Sequence, residues 1–434
     1  MSMKSILVEE LSFISVSRNE ILVFEKIARD FIASLKAKGL RAYVGGSLAK
    51  GTMTRKTGLF DVRCQMSGVR CQEGKQDVDV FVVFDFSEDI VGLEKVLKKI
   101  KLPGRLKKVH GSRDYFQIDC GDVVLEVIPV VKNRDPELAE NVTDVSLRHV
   151  KYVVGEIRAS QVPSSRAKNL NLADEIKLAK AFCYANRVYG AESYVKGFSG
   201  YSLEVLVIYF GSFVKFLKGI SKKRVIDPLR YFRNEREILS EINASKLGSP
   251  IVLVDPTFKF RNVCAGLGSE SYEKFLKVAK EFLKSPSLGY FELKSVDVSG
   301  MRKMRGRFVE VDLSTDRQEG DIAGTKMKKL FDFFVRELGR KGQRVLRKEF
   351  DYSGIGQKAK GYLVVEEKSE VEVRGPSVGL DDSVVAFRKV HRDAFRKGKF
   401  WWVKREVSVE SVFDLVKKVE GEMGAEAELL RGNR

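Results

Sequence analysis

Histidine is scarce in this chain: His110, His149 and His391 are its only three in 434 residues. So few imidazoles leave little for histidine triads or imidazole-ligated metal centres. Cysteine is sparse as well, with five residues at positions 64, 71, 120, 183 and 264. An odd, scattered set reads as reduced thiols rather than a disulfide frame, and Cys64 and Cys71 have no neighbouring histidine pair to complete a zinc site. No apolar run approaches the ~18 residues of a membrane span. Met1-Ser2-Met3-Lys4 lacks the apolar core of a signal peptide, so a cytoplasmic protein is expected. Acidic residues are outnumbered, 59 against 78 Lys and Arg, for a net charge of +19. That balance suits a polyanionic partner, nucleic acid first and an anionic membrane surface second. Hydrophobics at 44% and aromatics at 10% exclude wholesale disorder. The length allows roughly two to four domains.

What is present is concentrated between Val44 and Val131. A turn, Gly45-Gly46-Ser47, leads into Leu48-Ala49-Lys50. The run Asp77-Val78-Asp79-Val80-Phe81-Val82-Val83-Phe84 reads as a strand, which puts Asp77 and Asp79 on one face and the valines on the other. Glu126 lies inside the apolar run Val124–Val131, where a charge is costly unless something pairs with it. Three carboxylates converging on one sheet face require cations, and two Mg²⁺ ions completed by substrate phosphates answer that need. Glycine lets backbone approach a ligand closely, and free N–H groups at a helix start bind phosphate. An Asp-x-Asp strand alone is more often a solvated edge, and a Gly-Gly-Ser turn only a turn. Together, in this order, they resemble the DNA-polymerase-β-like nucleotidyltransferase palm.

The flanking pattern is mixed. Asn19 to Lys38 has helical periodicity, Arg41 to Val44 reads as a strand, and Leu93 to Ile100 as a helix. Strands are expected at Tyr115–Cys120 and Val123–Val131. Between the turn and the Asp pair, Leu59–Gln76 repeats Val-Arg-Cys-Gln at 62–65 and 69–72 and reads as a loop or small hairpin inserted into the palm. Three helices follow: one capped by Asn171, one over Tyr201–Lys218, and one over Tyr272–Leu283. The last third alternates along Phe308–Leu313, carries a helical stripe from Leu330 to Leu338, and has strands at Tyr362–Val365 and Val371–Val373. Arg388 to Arg405 holds eight Lys or Arg against one Asp, beside Phe395, Phe400, Trp401 and Trp402. Charge for phosphates beside aromatic planes for bases marks Arg388, Lys389, Arg392, Arg396, Lys397 and Lys399 as an RNA-binding surface; a solvated helix and core strand is the alternative.

The middle of the chain carries the resemblance. Tyr189-Gly190-Ala191-Glu192, Lys196-Gly197-Phe198-Ser199-Gly200-Tyr201, Val254-Asp255-Pro256, Arg261-Asn262-Val263 and Pro286-Ser287-Leu288-Gly289 are similar to the archaeal, class I CCA-adding enzymes. The resemblance covers about Val44 to Phe291 and continues more faintly through Gly375-Pro376 and Phe400-Trp401-Trp402. It implies an α+β, multidomain protein: a palm of mixed sheet and helices over 1–148 with its insertion at 59–76, a helical nucleotide-selecting domain over 149–290, and a C-terminal α+β body and tail over 291–434. It further implies template-independent addition of CCA to the tRNA 3′ end from CTP and ATP with two Mg²⁺ ions. On that reading Asp77, Asp79 and Glu126 hold the metals, Gly46, Ser47, Lys50, Lys180 and Tyr189 bind the triphosphate and nucleotide, and His149 contacts the nucleotide. The tRNA acceptor arm would lie on the basic C-terminal region. Glu126 stands where the family ordinarily has Asp, and Lys50 where it often has Arg. A poly(A) polymerase-like transferase and a catalytically impaired tRNA-binding homologue remain alternatives, and a homodimer is left open.

Overall fold

A computed structural model of the chain describes residues 2–55, 75–111, 113–161, 170–317, 319–366 and 370–430. The insertion expected at Leu59–Gln76, with both Val-Arg-Cys-Gln repeats, lies up to residue 74 outside the described residues. The chain divides into two compact units: Met1–Ala191 with Val195–Lys294, and Glu192–Tyr194 with Ser295–Arg434. Among the described residues no helix is long and apolar enough to cross a membrane.

The first unit opens with α1 (Met3–Ile14) and α2 (Arg18–Lys36). Ser17 and Glu20 start α2 with a capping box, each side chain accepting the other's backbone N–H. Then come β1 (Arg41–Val44), the short α3 (Gly46–Lys50), β2 (Gln76–Phe84), α4 (Leu93–Leu97), β3 (Arg105–Val109), β4 (Tyr115–Asp119) and β5 (Val123–Val131). The sheet has the order β1-β2-β5-β4-β3, and only β2 and β5 run parallel. Alternation decides what each face meets. Val78, Val80 and Val82 are fully buried on one face with Phe24, Ala28, Phe31 and Leu35 of α2. The other face carries Asp77, Asp79 and Phe81, and on β5 Val124 and Glu126.

Helices build the rest of this unit: α5 (Ser146–Ser160), α6 (Leu172–Ala185), α7 (Gly200–Phe210), α8 (Phe213–Gly219), α9 (Glu235–Glu241) and α10 (Ser269–Lys284), with a small sheet of β6 (Val225–Ile226), β7 (Val252–Asp255) and β8 (Phe258–Asn262). Their core is dominated by phenylalanine: Phe182, Phe198, Phe213, Phe216, Phe275, Phe282 and Phe291 are fully buried in one cluster. The first helix, α1, packs its apolar residues into this cluster and not against the sheet. The single helix expected over Tyr201–Lys218 is two. Gly211 ends α7 with a left-handed φ of 79°, and Ser212 caps α8 by accepting from the Lys215 N–H. That Gly-Ser signal is local, and the continuous apolar run hid it.

In the second unit, β9 (Arg307–Ser314), β10 (Arg344–Asp351), β11 (Lys358–Glu366) and β15 (Glu426–Leu430) form an antiparallel sheet in the order β10-β11-β9-β15. It is preceded by α11 (Val298–Arg302) and covered by α12 (Asp321–Arg340) and α14 (Val409–Met423), whose Phe331, Phe334 and Phe413 meet Val309, Val311 and Leu363. A second sheet, β12-β14-β13, comprises β12 (Glu370–Ser377), β13 (Phe395–Lys397) and β14 (Phe400–Glu406), with α13 (Asp381–Val390) against β12.

Candidate active site

The Gly-Gly turn is shaped by strand β2. The Gly45 N–H donates to the Asp79 carbonyl at 2.8 Å, and Gly46 has a φ of +57°. A Cβ on Gly46 would stand 1.5 Å from Asp79 Oδ2, and one on Gly45 would stand 2.2 Å from the Phe81 ring. Only glycine allows α3 to begin directly over the aspartate face. Asp79 and Glu126 are register partners on the parallel strands β2 and β5, and Asp77 stands opposite Val124. Glu126 also accepts from Gln117 Nε2 of β4 at 2.9 Å.

Opposite that face, α6 and α7 deliver a buried ion cluster. Asn171 caps α6, which carries Lys180; Ser199 caps α7, which carries Tyr201 and Glu204. Glu204 has no exposed surface. It accepts from Lys50 Nζ at 2.7 Å, Lys180 Nζ at 2.7 Å and Thr52 Oγ1 at 2.9 Å, while Lys180 also reaches Thr52 Oγ1 at 2.9 Å. Burial works to raise the Glu204 carboxyl, but Lys180 and Lys50 overcome it and hold it at about 2. Burial in turn lowers Lys180. On the sheet face, burial pushes Asp79 up to about 6, with Lys50 opposing and Asp77 adding repulsion.

These groups enclose one cavity of about 320 Å³. Of the residues singled out from sequence, Ser47, Lys50, Asp77, Asp79, Glu126, Lys180 and Tyr189 line it. Gly46 is not in the lining; its backbone lies against the Asp79 carboxylate. His149 is elsewhere: it is buried, with Nε2 at 3.2 Å from Asp255 Oδ2 and its ring stacked on Tyr201 at 3.8 Å. Asp255 is a hub, also accepting from Tyr201 Oη at 2.9 Å, from Arg261 at 2.8 Å and from the Thr257 N–H and hydroxyl at 2.8 Å each. Burial lowers His149, so this ring is neutral at neutral pH. It reaches the cavity only through Tyr201, which lines it. Sequence reading missed Thr52, Tyr184, Tyr201, Glu204 and Glu10, all of which line the cavity. A signal existed for the last two: each is an acid inside an apolar helical stripe, with Glu10 between the buried Ile6, Leu7, Leu11 and Ile14.

Among the described residues no group of three or more His, Cys, Asp or Glu side chains is gathered closely enough to cage a metal ion. The donors present suit a different arrangement. Asp77 and Asp79 share one open face across the cavity from two ammonium groups. Mg²⁺ is commonly held by one or two carboxylates completed by substrate phosphates and water, and these residues fit an ion of that kind.

In the second unit, Arg388, Lys389, Arg392, Arg396, Lys397 and Lys399 are all exposed. The aromatic planes beside them are already occupied by cations of the same unit. The Arg388 guanidinium lies 4.7 Å from the Trp401 ring, the Lys397 ammonium 5.6 Å from Trp402, and the Arg374 guanidinium 4.6 Å from Phe400. This surface offers charge more than free faces for stacking bases.

Residues 174–292 match the family model described as "tRNA nucleotidyltransferase, second domain". The CCA-adding enzyme of Nanoarchaeum equitans is 31% identical over 351 residues, covering 78% of this chain and 77% of the relative. The chain belongs to the CCA-adding enzyme family. The family's member from Thermococcus kodakarensis is 27% identical over 432 residues, covering 95% of this chain and 86% of that one. Membership makes the chain an enzyme, a nucleotidyltransferase, with the α+β multidomain architecture expected from its sequence. A solved structure of Cid1, an RNA terminal uridylyl transferase, superposes with a TM-score of 0.49 at 11% identity over 68% of this chain and 98% of that chain.

Proposed function

We propose that this enzyme builds or repairs the CCA end of tRNA, transferring CMP and AMP from CTP and ATP to the tRNA 3′-hydroxyl. The observation that carries the proposal is the cavity in which the Asp77–Asp79 face meets Lys50 and Lys180. The tRNA oxygen bonds to the α-phosphorus, the bond to the bridging oxygen of pyrophosphate breaks, and the hydroxyl proton is released. Lys50 and Lys180 bind the triphosphate and stabilise the charge that accumulates on departing pyrophosphate. Glu204 keeps both ammonium groups in place, and Ser47 and Tyr189 complete the phosphate and nucleotide contacts. Asp77 and Asp79, with Glu126 as the register partner of Asp79, would hold a divalent ion completed by phosphate oxygens and water, and bound there it would supply Lewis acidity at the α-phosphate. His149 and Asp255 position the Tyr201 ring. Exposed cations of the second unit hold the acceptor arm through its phosphates.

The test is addition of labelled CMP or AMP, with Mg²⁺, to tRNA ending before, within or after CCA. Correct completion and no further growth are expected; growth by AMP alone with CTP ignored overturns the CCA reading in favour of a poly(A)-type activity. Asp77→Ala and Asp79→Ala should each lose transfer while keeping tRNA affinity. Activity within about tenfold of wild type in either variant removes that aspartate from the metal-holding role.

A further inference from the structure

Arg55 lines the cavity together with Ser47, Asp77 and Asp79, a third cation there beside Lys50 and Lys180. Its backbone is fixed from the end of α1: Thr54 forms a bridge with Ser15, and the Arg55 N–H donates to the Ile14 carbonyl at 2.8 Å. The side chain is anchored as well. Nε donates to the Ser15 carbonyl at 3.3 Å, and Nη2 donates to Glu20 Oε2 of α2 at 2.6 Å. A guanidinium carries five N–H donors in a rigid fork. Only Nε and Nη2 are engaged here, and Nη1 has no partner among the described residues.

Counter-ions separate the three cations. Lys50 and Lys180 bind Glu204, whose side chain has no exposed surface. Arg55 binds Glu20, which is outside the lining, and these two side chains are 32% and 38% exposed. Water competes for such a pair, so it holds weakly and can be exchanged. Phosphate is the better partner, because its oxygens accept from both arms of the fork at once. Glu20 has a second task that needs no charge. It accepts the Ser17 N–H at 2.9 Å in the capping box of α2, which a glutamine can do as well.

We infer that Arg55 is a substrate-binding residue that takes a phosphate group entering the cavity and gives up Glu20 to do so. Two sources offer that chemistry: the triphosphate of the incoming nucleotide and the terminal phosphodiester of the RNA. The inference rests on the reading of the cavity as a nucleotidyl-transfer site. The anchored backbone and the Nε bond to Ser15 set the fork before substrate arrives, which lowers the cost of ordering it on binding.

The experiment measures dissociation constants for CTP and for tRNA lacking its CCA end, each alone with Mg²⁺, and the KM of each in nucleotide addition. The proteins are wild type, Arg55→Gln, Arg55→Lys and Glu20→Gln. Arg55→Gln should weaken binding by about tenfold. Weakening confined to CTP assigns the triphosphate as the source, weakening confined to tRNA assigns the phosphodiester, and weakening of both shows that they share the residue. Arg55→Lys, a point charge without the fork, should recover to within about threefold of wild type. Glu20→Gln keeps the cap and removes the competing carboxylate, so binding should be unchanged or up to about threefold tighter. Arg55→Gln and Glu20→Gln lose the same ion pair and should melt alike, so a difference between them in binding reports contact with substrate. Weakening of similar size in both would make Arg55 a structural partner of Glu20 only. Constants for Arg55→Gln within about twofold of wild type would overturn the inference equally. A wild type that binds both substrates but adds no nucleotide would refute the transfer reading alone, since the dissociation constants still test Arg55.

Discussion

Glu204 and Glu10 line the same cavity, and neither side chain reaches solvent, yet their carboxyls are driven in opposite directions. Glu204 lies at about 2 and Glu10 at about 8. Burial raises both, so desolvation does not separate them. Partners do: two lysines and a threonine hydroxyl converge on Glu204, whereas both oxygens of Glu10 lack any. Asp79 falls between them at about 6, with Lys50 working against burial. The charge of a buried acid in this cavity is set by what reaches it from other elements, and each of these acids is thereby suited to different work. Glu204 is a permanent anion that fixes the Lys50 and Lys180 ammonium groups. Glu10 is a neutral acid able to donate a proton in a hydrogen bond.

Breaking the paired side of this contrast should have the largest effect. Glu204→Gln leaves Lys50 and Lys180 without their counter-charge, and removal of one partner from a buried pair costs about 3–5 kcal/mol. Denaturant unfolding should show that loss, and added nucleoside triphosphate should restore part of it by binding the lysines. A loss below about 1 kcal/mol would show that the lysines do not need Glu204.

The unpaired side should appear in the pH dependence. Glu10 keeps its proton in the folded state up to about 8 but releases it near 4.5 when unfolded. Between those limits the folded state binds more protons, so this group lowers stability as pH rises, on the order of 5 kcal/mol across the window. Glu204 acts in the opposite sense and lower down: its contribution is lost as pH falls from 4.5 toward about 2. Melting curves of Glu10→Leu against wild type should converge near pH 4.5 and separate toward pH 8, with the variant more stable. Parallel curves across that range would show that Glu10 ionises normally.

A third pair sharpens the comparison by its expected weakness. Lys397 and Glu372 in the second unit are 2.5 Å apart with 61% and 39% of their side chains exposed. Water competes for both charges, so Glu372→Gln should change unfolding free energy by less than about 0.5 kcal/mol. An effect as large as that of Glu204→Gln would mean that burial does not govern these pairs.

Much of the molecule was legible without coordinates because local rules decide it. Alternation along β2 put Asp77 and Asp79 on one face, Asn171 announced α6, and the Gly-Gly-Ser turn announced a close approach of backbone that Asp79 does require. The helical break at Gly211 was legible in principle and was obscured by the apolar run around it. The polar pairings could not be read in this way. Lys50 meets Glu204 across 154 positions of sequence, and His149 meets Asp255 across 106. Periodicity tells which side of a helix faces inward, but a buried charge is settled by the group that stands opposite, and that group belongs to another element. The sequence by itself determined the strands, caps, glycine turn and family motifs. Tertiary structure alone decided that His149 supports Tyr201 from behind, that Glu204 binds two lysines, and that Glu10 faces the cavity with nothing to hold.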